Sequence, residues 1–515
     1  MNSYKLNMKR TILVGFAFFL ISAFWQAYDA IVPLILTNHF GLDQLISGIV
    51  MSIDNVLAVF MLPIFGALSD RIMTKYGRRT PFIVLGTVAA VIAFISLTLI
   101  DFYQLRAVLD AGIAEKYQAA TKLLQEANLS LKEAGKAGDT EAVALIKESI
   151  DYINKTVIAG IREETLQITL NNLWPIIGFI GVLLLTLISM ATFRSPAVAL
   201  MPDITVKPLR SKGNAIINLT GTAGGILVLV LGMVFKTSDN KYMQYTGYVI
   251  AVCAIMISGL AVFIATVKER KWASEMEEQT KTLGLEEIVE VNDNKRSLGK
   301  AELKSLFLIL ASVALWYIGY NSITSKYTVY ATNILFFDFN LTLIIAQAAA
   351  IVAYIPVGIV ASKIGRRKTI LAGITMLASA FFIANFITFS TPEFAMYPVF
   401  ILAGIGWATI NVNSFPMVVE LAKGGEVGKY TGYYYTASMA AQIVAPILSG
   451  AIYKLVGHIV GGDDIEGMRY AFFAFGTIFV AFSFVTMFFV KHGDAKDLAG
   501  KTAKDLISDN FAGED

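Results

Sequence analysis

Long apolar runs broken by short polar or charged stretches dominate the chain from residue 11 to residue 490. A helix needs about 20 apolar residues to cross roughly 30 Å of hydrocarbon. Runs of that kind fall near 11–37, 45–68, 81–101, 172–193, 213–236, 246–267, 305–332, 343–361, 369–390, 397–419, 430–455 and 470–490. The pattern predicts an all-α membrane protein of twelve transmembrane helices. An even number of crossings puts both ends of the chain on one side.

Composition turns that prediction into a requirement. Of the 515 residues 56% are hydrophobic and only 16% charged, where a soluble domain carries roughly 25% charged. With a mean hydropathy of +0.63, much of this chain must have lipid as its solvent. A net charge of +3 gives no reason to expect a nucleic-acid partner. Cys253 is the single cysteine and lies in an apolar run, while His39, His458 and His492 are scattered at segment ends. That excludes a disulfide framework and argues against a metal cluster. No nucleophile–base pair, phosphate loop or ATP-binding motif stands out, so neither an enzyme nor a bound cofactor is expected. The first apolar run is too long for a signal peptide and lacks a small-residue cleavage site, so it is read as the first span.

Lysine and arginine orient the chain. With the N-terminus in the cytoplasm, most of the 42 basic residues fall on the inner side, in clusters such as Arg71–Arg79, Arg194–Lys212 and Lys363–Lys368. Both termini are therefore expected to be cytoplasmic, in a cell (inner) membrane. Residues 1–267 form an N-terminal six-helix half, 268–304 a charged cytoplasmic linker, 305–490 a C-terminal half and 491–515 a tail. Between the third and fourth spans lies an insert, 102–171, expected outside. Leu123, Leu124, Ala127 and Leu131 share one helical face, and Ala144, Leu145, Ile150, Ile153 and Val157 form a second run. Gly135–Thr140 separates them, which predicts a helical hairpin whose second arm starts at an Asp or Thr cap. Such a hairpin is either a solvated appendage or a lid or partner-binding element. Asn128 and Asn154 stand in glycosylation sequons in form.

The two halves echo each other. Gly66-Ala-Leu-Ser-Asp70-Arg71, with Tyr76-Gly77-Arg78-Arg79 shortly after, follows the second span; Gly358-Ile-Val-Ala-Ser362-Lys363-Ile-Gly365-Arg366-Arg367 follows the eighth. The first element resembles the signature loop of the major facilitator superfamily, and the second a degenerate copy of it. Arg194-Ser-Pro-Ala-Val-Ala-Leu-Met-Pro-Asp203, Gly404-Ile-Gly406-Trp407 with Asn411, Asn413 and Pro416, and Gly428-Lys429-Tyr430-Thr-Gly432 are similar to the sucrose–proton symporters and the glycoside–pentoside–hexuronide cation symporters. The resemblance spans nearly the whole chain except the insert. It implies two pseudo-symmetric six-helix halves that rock about a central site, and symport of a sugar, a disaccharide or a glucoside, with H⁺ (Na⁺ being the alternative). It also implies that Asp70 bonds the adjoining helix end and that Arg71 reaches carboxylates across the half-interface. Gly66, Gly77, Arg78, Arg79, Arg194, Asp203 and Glu420 complete the expected gating set. An exporter or antiporter of another solute, and a transporter-like sensor working through the insert, are the other readings.

Polar residues inside the spans supply the candidate site, because a charge at a helix centre costs about 2.5–3.5 kcal/mol on insertion scales and needs a reason. Asp29 and Asp54 are candidates for the cation: each can take up a proton, hold Na⁺ through its oxygens, or simply tie helices together. Amides offer the paired donors and acceptors that a hydroxyl-rich solute demands, and aromatic rings pack against the C–H face of a pyranose. Trp25, Tyr28, Asn55, Tyr320, Asn321, Trp407, Asn411 and Gln442 are the expected substrate contacts, with helix-to-helix bonding as the structural alternative for each amide. Lys326 in the seventh span is expected to snorkel outward, with pairing to an intramembrane Asp or contact with a sugar hydroxyl as the alternatives.

Overall fold

The computed structural model describes residues 6–206, 209–282, 299–419, 421 and 427–491. Seventeen α-helices account for most of them. The first group is α1 (Met8–Leu34), α2 (Gln44–Arg71), α3 (Thr80–Asp110), α7 (Trp174–Ile204), α8 (Arg210–Phe235) and α9 (Thr246–Thr266). The insert contributes α4 (Ile113–Ala137), α5 (Thr140–Tyr152) and α6 (Ala159–Asn171), and α10 (Glu269–Thr282) follows the first group. The second group is α11 (Lys300–Thr324), the single turn α12 (Tyr327–Tyr330), α13 (Phe339–Ile364), α14 (Arg366–Ala384), α15 (Met396–Val419), α16 (Val427–Val460) and α17 (Asp464–Phe488). Eleven of these segments are long and apolar enough to cross a membrane, and α13 carries the shorter apolar stretch Phe339–Tyr354. Helices are what an apolar chain must form in lipid, where a backbone amide left unpaired has no water to turn to.

Aspartates mark where several helices begin. Asp43, Asp139, Asp338 and Asp463 each accept a backbone N–H from the first turn that follows, which satisfies an amide the helix itself cannot. The first and seventh spans both finish in a π-helical turn, Ile35–His39 and Ala331–Leu335. Both turns contain a Thr-Asn pair, and the Asn333 amide donates to the Asn38 side-chain oxygen at 2.9 Å. The repeat therefore meets itself at this point.

Within the first group α1 packs on α8 and α9, and α3 on α7 and α9; within the second α15 packs on α13 and α14, and α17 on α11, α14 and α16. The groups join mainly through α2 with α16 and α8 with α13. Glycines make the first seam close: a Cβ on Gly48 would overlap the Pro446 carbonyl, and one on Gly450 the Gln44 carbonyl. The seam is one-sided. Six of the eight buried residues of α2 lie between Gln44 and Ser52, and beyond Ser52 only Ala58 and Ser69 are buried. The bundle is thus sealed at the end that bears the insert and splayed at the end that bears the basic clusters.

The insert is built as a hairpin and a strut. α4 ends at Gly138, whose left-handed backbone (φ +72°) turns the chain into the Asp139 cap of α5. α3 continues without a break to Asp110, so residues 102–110 extend the third span rather than begin the hairpin. After a π turn at Ile153–Ile158, α6 lies against the first group. Gln104 donates to Thr169 (2.8 Å), and Thr169 donates to the Phe40 carbonyl (2.9 Å). Asn154 is buried, so its sequon is not presented to solvent.

Candidate functional site

Midway through the bundle two cavities share a wall. The polar one, ≈ 190 Å³, lies where α1, α2, α7, α11 and α16 converge and is lined by Trp25, Asp29, Asp54, Asn55, Arg194, Asn321, Thr324, Ser325 and Gln442, among others. The second, ≈ 330 Å³, reaches from α1 into the second group and is mostly apolar, with Tyr320, Trp407 and Gln347 near Asp29 and phenylalanines farther in. Asp29 and Thr324 line both.

Each side chain is held by local structure. Asn55 donates to Asp54 at 2.7 Å, one residue along the same helix. Asn321 and Gln442 donate their amide N–H groups to the carbonyls of Tyr317 (2.8 Å) and Ser438 (3.3 Å), one turn back, which leaves their side-chain oxygens for the cavity. Gln347 donates to Gln26 at 2.7 Å and so joins α13 to α1 along the larger cavity. The Tyr320 and Trp407 rings stack, with centroids 5.9 Å apart and planes 27° apart. That forms a flat aromatic wall of the kind a pyranose C–H face packs on.

Most of the substrate contacts expected from sequence gather here, with two exceptions. Tyr28 lines neither cavity; its ring is fully buried beneath Phe24 (centroids 6.0 Å) and Trp25 (5.3 Å). Asn411 also stands back from both and bonds with Tyr354. The larger departure is Arg194. Its motif suggested gating at the basic end, yet its guanidinium lies over the Trp25 ring at 5.5 Å and lines the polar cavity beside Asp54. Ten residues of α7 follow it before the helix ends at Ile204, about 15 Å of rise, which lifts Arg194 from the rim to the depth of the carboxylates.

Among the gating residues, it is Arg79 rather than Arg71 that meets carboxylates, and both of them lie in the first group rather than across the half-interface. Arg79 bonds Asp70 (2.5 Å) on α2 and Asp203 (2.8 Å) on α7, and also Ser69. Arg71 itself is exposed and enters no ion pair among the described residues. Burial of Arg79 would disfavour its charge, but the two carboxylates outweigh that and hold its pKa above the ordinary value. Sequence reading missed Glu269. Its buried carboxylate accepts from the backbone N–H groups of Arg78 (2.6 Å), Arg79 (2.8 Å) and Thr80 (2.7 Å) and from the Thr80 hydroxyl (2.7 Å), capping α3. Gly77 (φ +120°) makes room for it, since a Cβ there would overlap the carboxylate. A Glu just past the sixth span was the only signal, and it names no partner. Gly66 lies against Ser195, Arg78 is exposed at the rim, and Glu420 falls outside the described residues.

The opposite end is a lock between the groups. Lys454 on α16 bonds Asp43 at 2.8 Å. Arg162 on α6 pairs with both Asp463 and Asp464 (2.9 Å to the latter), while Asp464 also accepts the Gln44 backbone N–H at 2.5 Å. Lys326 does not snorkel: it is only 1% exposed and donates to the Gln44 carbonyl, with the Gln44 side-chain oxygen 3.3 Å away. The chain unwinds between α11 and α12, which turns this lysine into the seam rather than toward solvent.

Two family models match the chain: one described as MFS/sugar transport protein over residues 13–104, and one described as Major Facilitator Superfamily over residues 327–511. Solved structures share the architecture. The inward-open xylose transporter XylE from E. coli is 14% identical, with 97% of this chain and 99% of that one covered and a TM-score of 0.57. A bacterial homologue of the human drug peptide transporters PepT1 and PepT2 is 11% identical, with 94% and 97% covered and a TM-score of 0.58. A bacterial homologue of the iron transporter ferroportin, in an inward-facing state, is 10% identical, with 94% and 99% covered and a TM-score of 0.58. Solutes that different show that this likeness speaks for the fold alone. No curated protein matches the sequence. The chain is a multi-pass membrane protein, with eleven segments among the described residues long and apolar enough to span a membrane, and the two family models that match parts of it describe major facilitator and MFS sugar transport proteins.

Proposed function

We propose that the protein is a secondary active transporter that couples the inward movement of a cation to the uptake of a sugar, in the manner of the sucrose–proton and glycoside–pentoside–hexuronide cation symporters it resembles. One observation carries the reading: Asp29 lines both cavities. A cation taken up at that carboxylate changes the charge felt by a solute in the adjoining space, and a solute there changes the affinity for the cation. That mutual effect is what coupling means. Asp54, with Asn55 bonded to it, is the second coupling carboxylate; Trp25, Tyr320, Asn321, Trp407 and Gln442 are the sugar contacts.

The coupling ion is H⁺. The resemblance carries that choice, with Na⁺ as the alternative, since the fixed positive charge of Arg194 beside Asp54 opposes a proton and a metal cation alike at that carboxylate. Moving one positive charge down 100 mV releases about 2.3 kcal/mol, which sustains about a 40- to 50-fold gradient of a neutral sugar. In this reading the basic end faces the cytoplasm of a cell (inner) membrane, with both termini there, and the splayed seam is the inward-open state. Arg71 and Arg78 then stand at the open mouth, free to meet the second group when that end closes.

The test is made in proteoliposomes. Disaccharides and monosaccharide glycosides of both anomers are added outside, and internal pH is recorded with and without sodium. Acidification on adding one of them supports proton symport. Uptake that needs sodium reassigns the cation, and silence across the panel removes the sugar.

A further inference from the structure

We infer that the preferred substrate is an amphipathic glycoside, one sugar ring bearing an aryl or short alkyl group, rather than a disaccharide. This rests on the sugar-symport reading above and adds the chemistry of the substrate's other half. The two compartments differ in what they can satisfy. The polar cavity surrounds its contents with Asp29, Asp54, Asn55, Arg194, Asn321 and Gln442, donors and acceptors on every side, as one ring of hydroxyls requires.

The larger compartment offers no such set. Much of its lining is Phe381, Phe400 and Phe473 with Leu343 and Val399, Ala346, Ala350 and Ala403 give the room, and Thr328 adds one hydroxyl. Of its other polar groups, Gln26 and Gln347 already bond each other. A second sugar ring carried past them would bring several hydroxyls against phenyl and methyl groups, where all but the one that meets Thr328 lose their bonds to water and gain none. A phenyl or butyl group buries apolar surface in the same space and loses nothing. The volume, ≈ 330 Å³, is at the lower end of those that hold small ligands. Because Asp29 and Thr324 are common to both walls, one molecule lies in both compartments at once, head in the polar one and aglycone in the apolar one.

The experiment compares three solutes with the same sugar head and anomer in wild-type proteoliposomes: the methyl glycoside, the phenyl glycoside and the matching disaccharide, each as a competitor and by the acidification it drives. The expected result is half-saturation at least tenfold lower for the phenyl glycoside than for the methyl, with the disaccharide weaker than the phenyl glycoside. Ala403→Leu, which fills the apolar space, is expected to shrink the phenyl-to-methyl ratio severalfold. Equal affinities for phenyl and methyl glycosides, or a disaccharide better than both, overturn the inference while leaving sugar symport standing. Silence with all three classes on every head overturns both.

Discussion

Arg162 ties the insert to the second group, so in the transport cycle proposed above its loss is the sharpest test of the lock at that end. It belongs to α6, which is fastened to the first group by Thr169 and Gln104, yet its guanidinium holds Asp463 and Asp464 at the start of α17 in the second group. In the orientation proposed above this is the outer end, and it cannot part without breaking both pairs. Arg162 is 13% exposed, and the two carboxylates 25% and 6%. Removing one partner of a fully buried pair costs about 3–5 kcal/mol, and partial exposure lowers that to roughly 2–3 kcal/mol. In the outer-open state all three groups are hydrated, so the loss falls on the closed state alone. Arg162→Ala should therefore raise the outer-open population about 30- to 150-fold. The assay is alkylation of a reporter, Ser47→Cys, by a membrane-impermeant maleimide. Ser47 is buried in the α2 seam, and the native Cys253 is itself buried and silent. Lys116→Ala serves as the control, because the Lys116–Glu164 pair is half exposed and joins only α4 to α6 within the insert. Equal labelling rates for Arg162→Ala and the control, in protein that still melts cooperatively, would refute the reasoning.

Further outcomes follow from the same geometry. Asp54→Asn should abolish uphill accumulation of sugar but leave sugar-for-sugar exchange measurable, and accumulation at the wild-type level would sink the coupling role. Gly77→Ala forces a side chain against the Glu269 carboxylate at φ +120°, at a cost of roughly 2–3 kcal/mol. A melting temperature in detergent that does not fall by several degrees contradicts the capping role given to Glu269. Burial alone would raise the Asp43 carboxyl, but the Lys454 ammonium and the Ile46 amide outweigh it and hold it below the ordinary value. Its share of outer closure is then intact above the ordinary carboxylate pKa of about 3.9 and is lost only as pH falls through the lowered value. Asp43→Asn should raise Ser47→Cys labelling roughly two- to fivefold at pH 7, as expected for a pair this exposed, with no step between pH 5 and 8. A step in that range that vanishes in Asp43→Asn rules the assignment out.

The sequence by itself determined the helices, because lipid leaves an apolar run of twenty residues no other way to satisfy its backbone. It also showed the internal repeat, the break at Gly138 and Asp139, and most of the carboxylates and amides that line the central cavities, since a polar residue in a span is conspicuous against so apolar a background. What it left open were relations across distance. Arg79 rather than Arg71 bridges Asp70 and Asp203 because only the former lies at the start of α3 facing both carboxylates. Arg194 lines the central cavity because α7 runs on for ten residues beyond it, a helix length that its proline-rich sequence hides. Lys326 turns inward because the chain unwinds beside it. Glu269 caps a helix nearly 190 residues upstream, and Arg162 reaches a turn some 300 residues downstream. A charged side chain declares its sign in the sequence, but its partner is fixed by which helix ends the packing brings together.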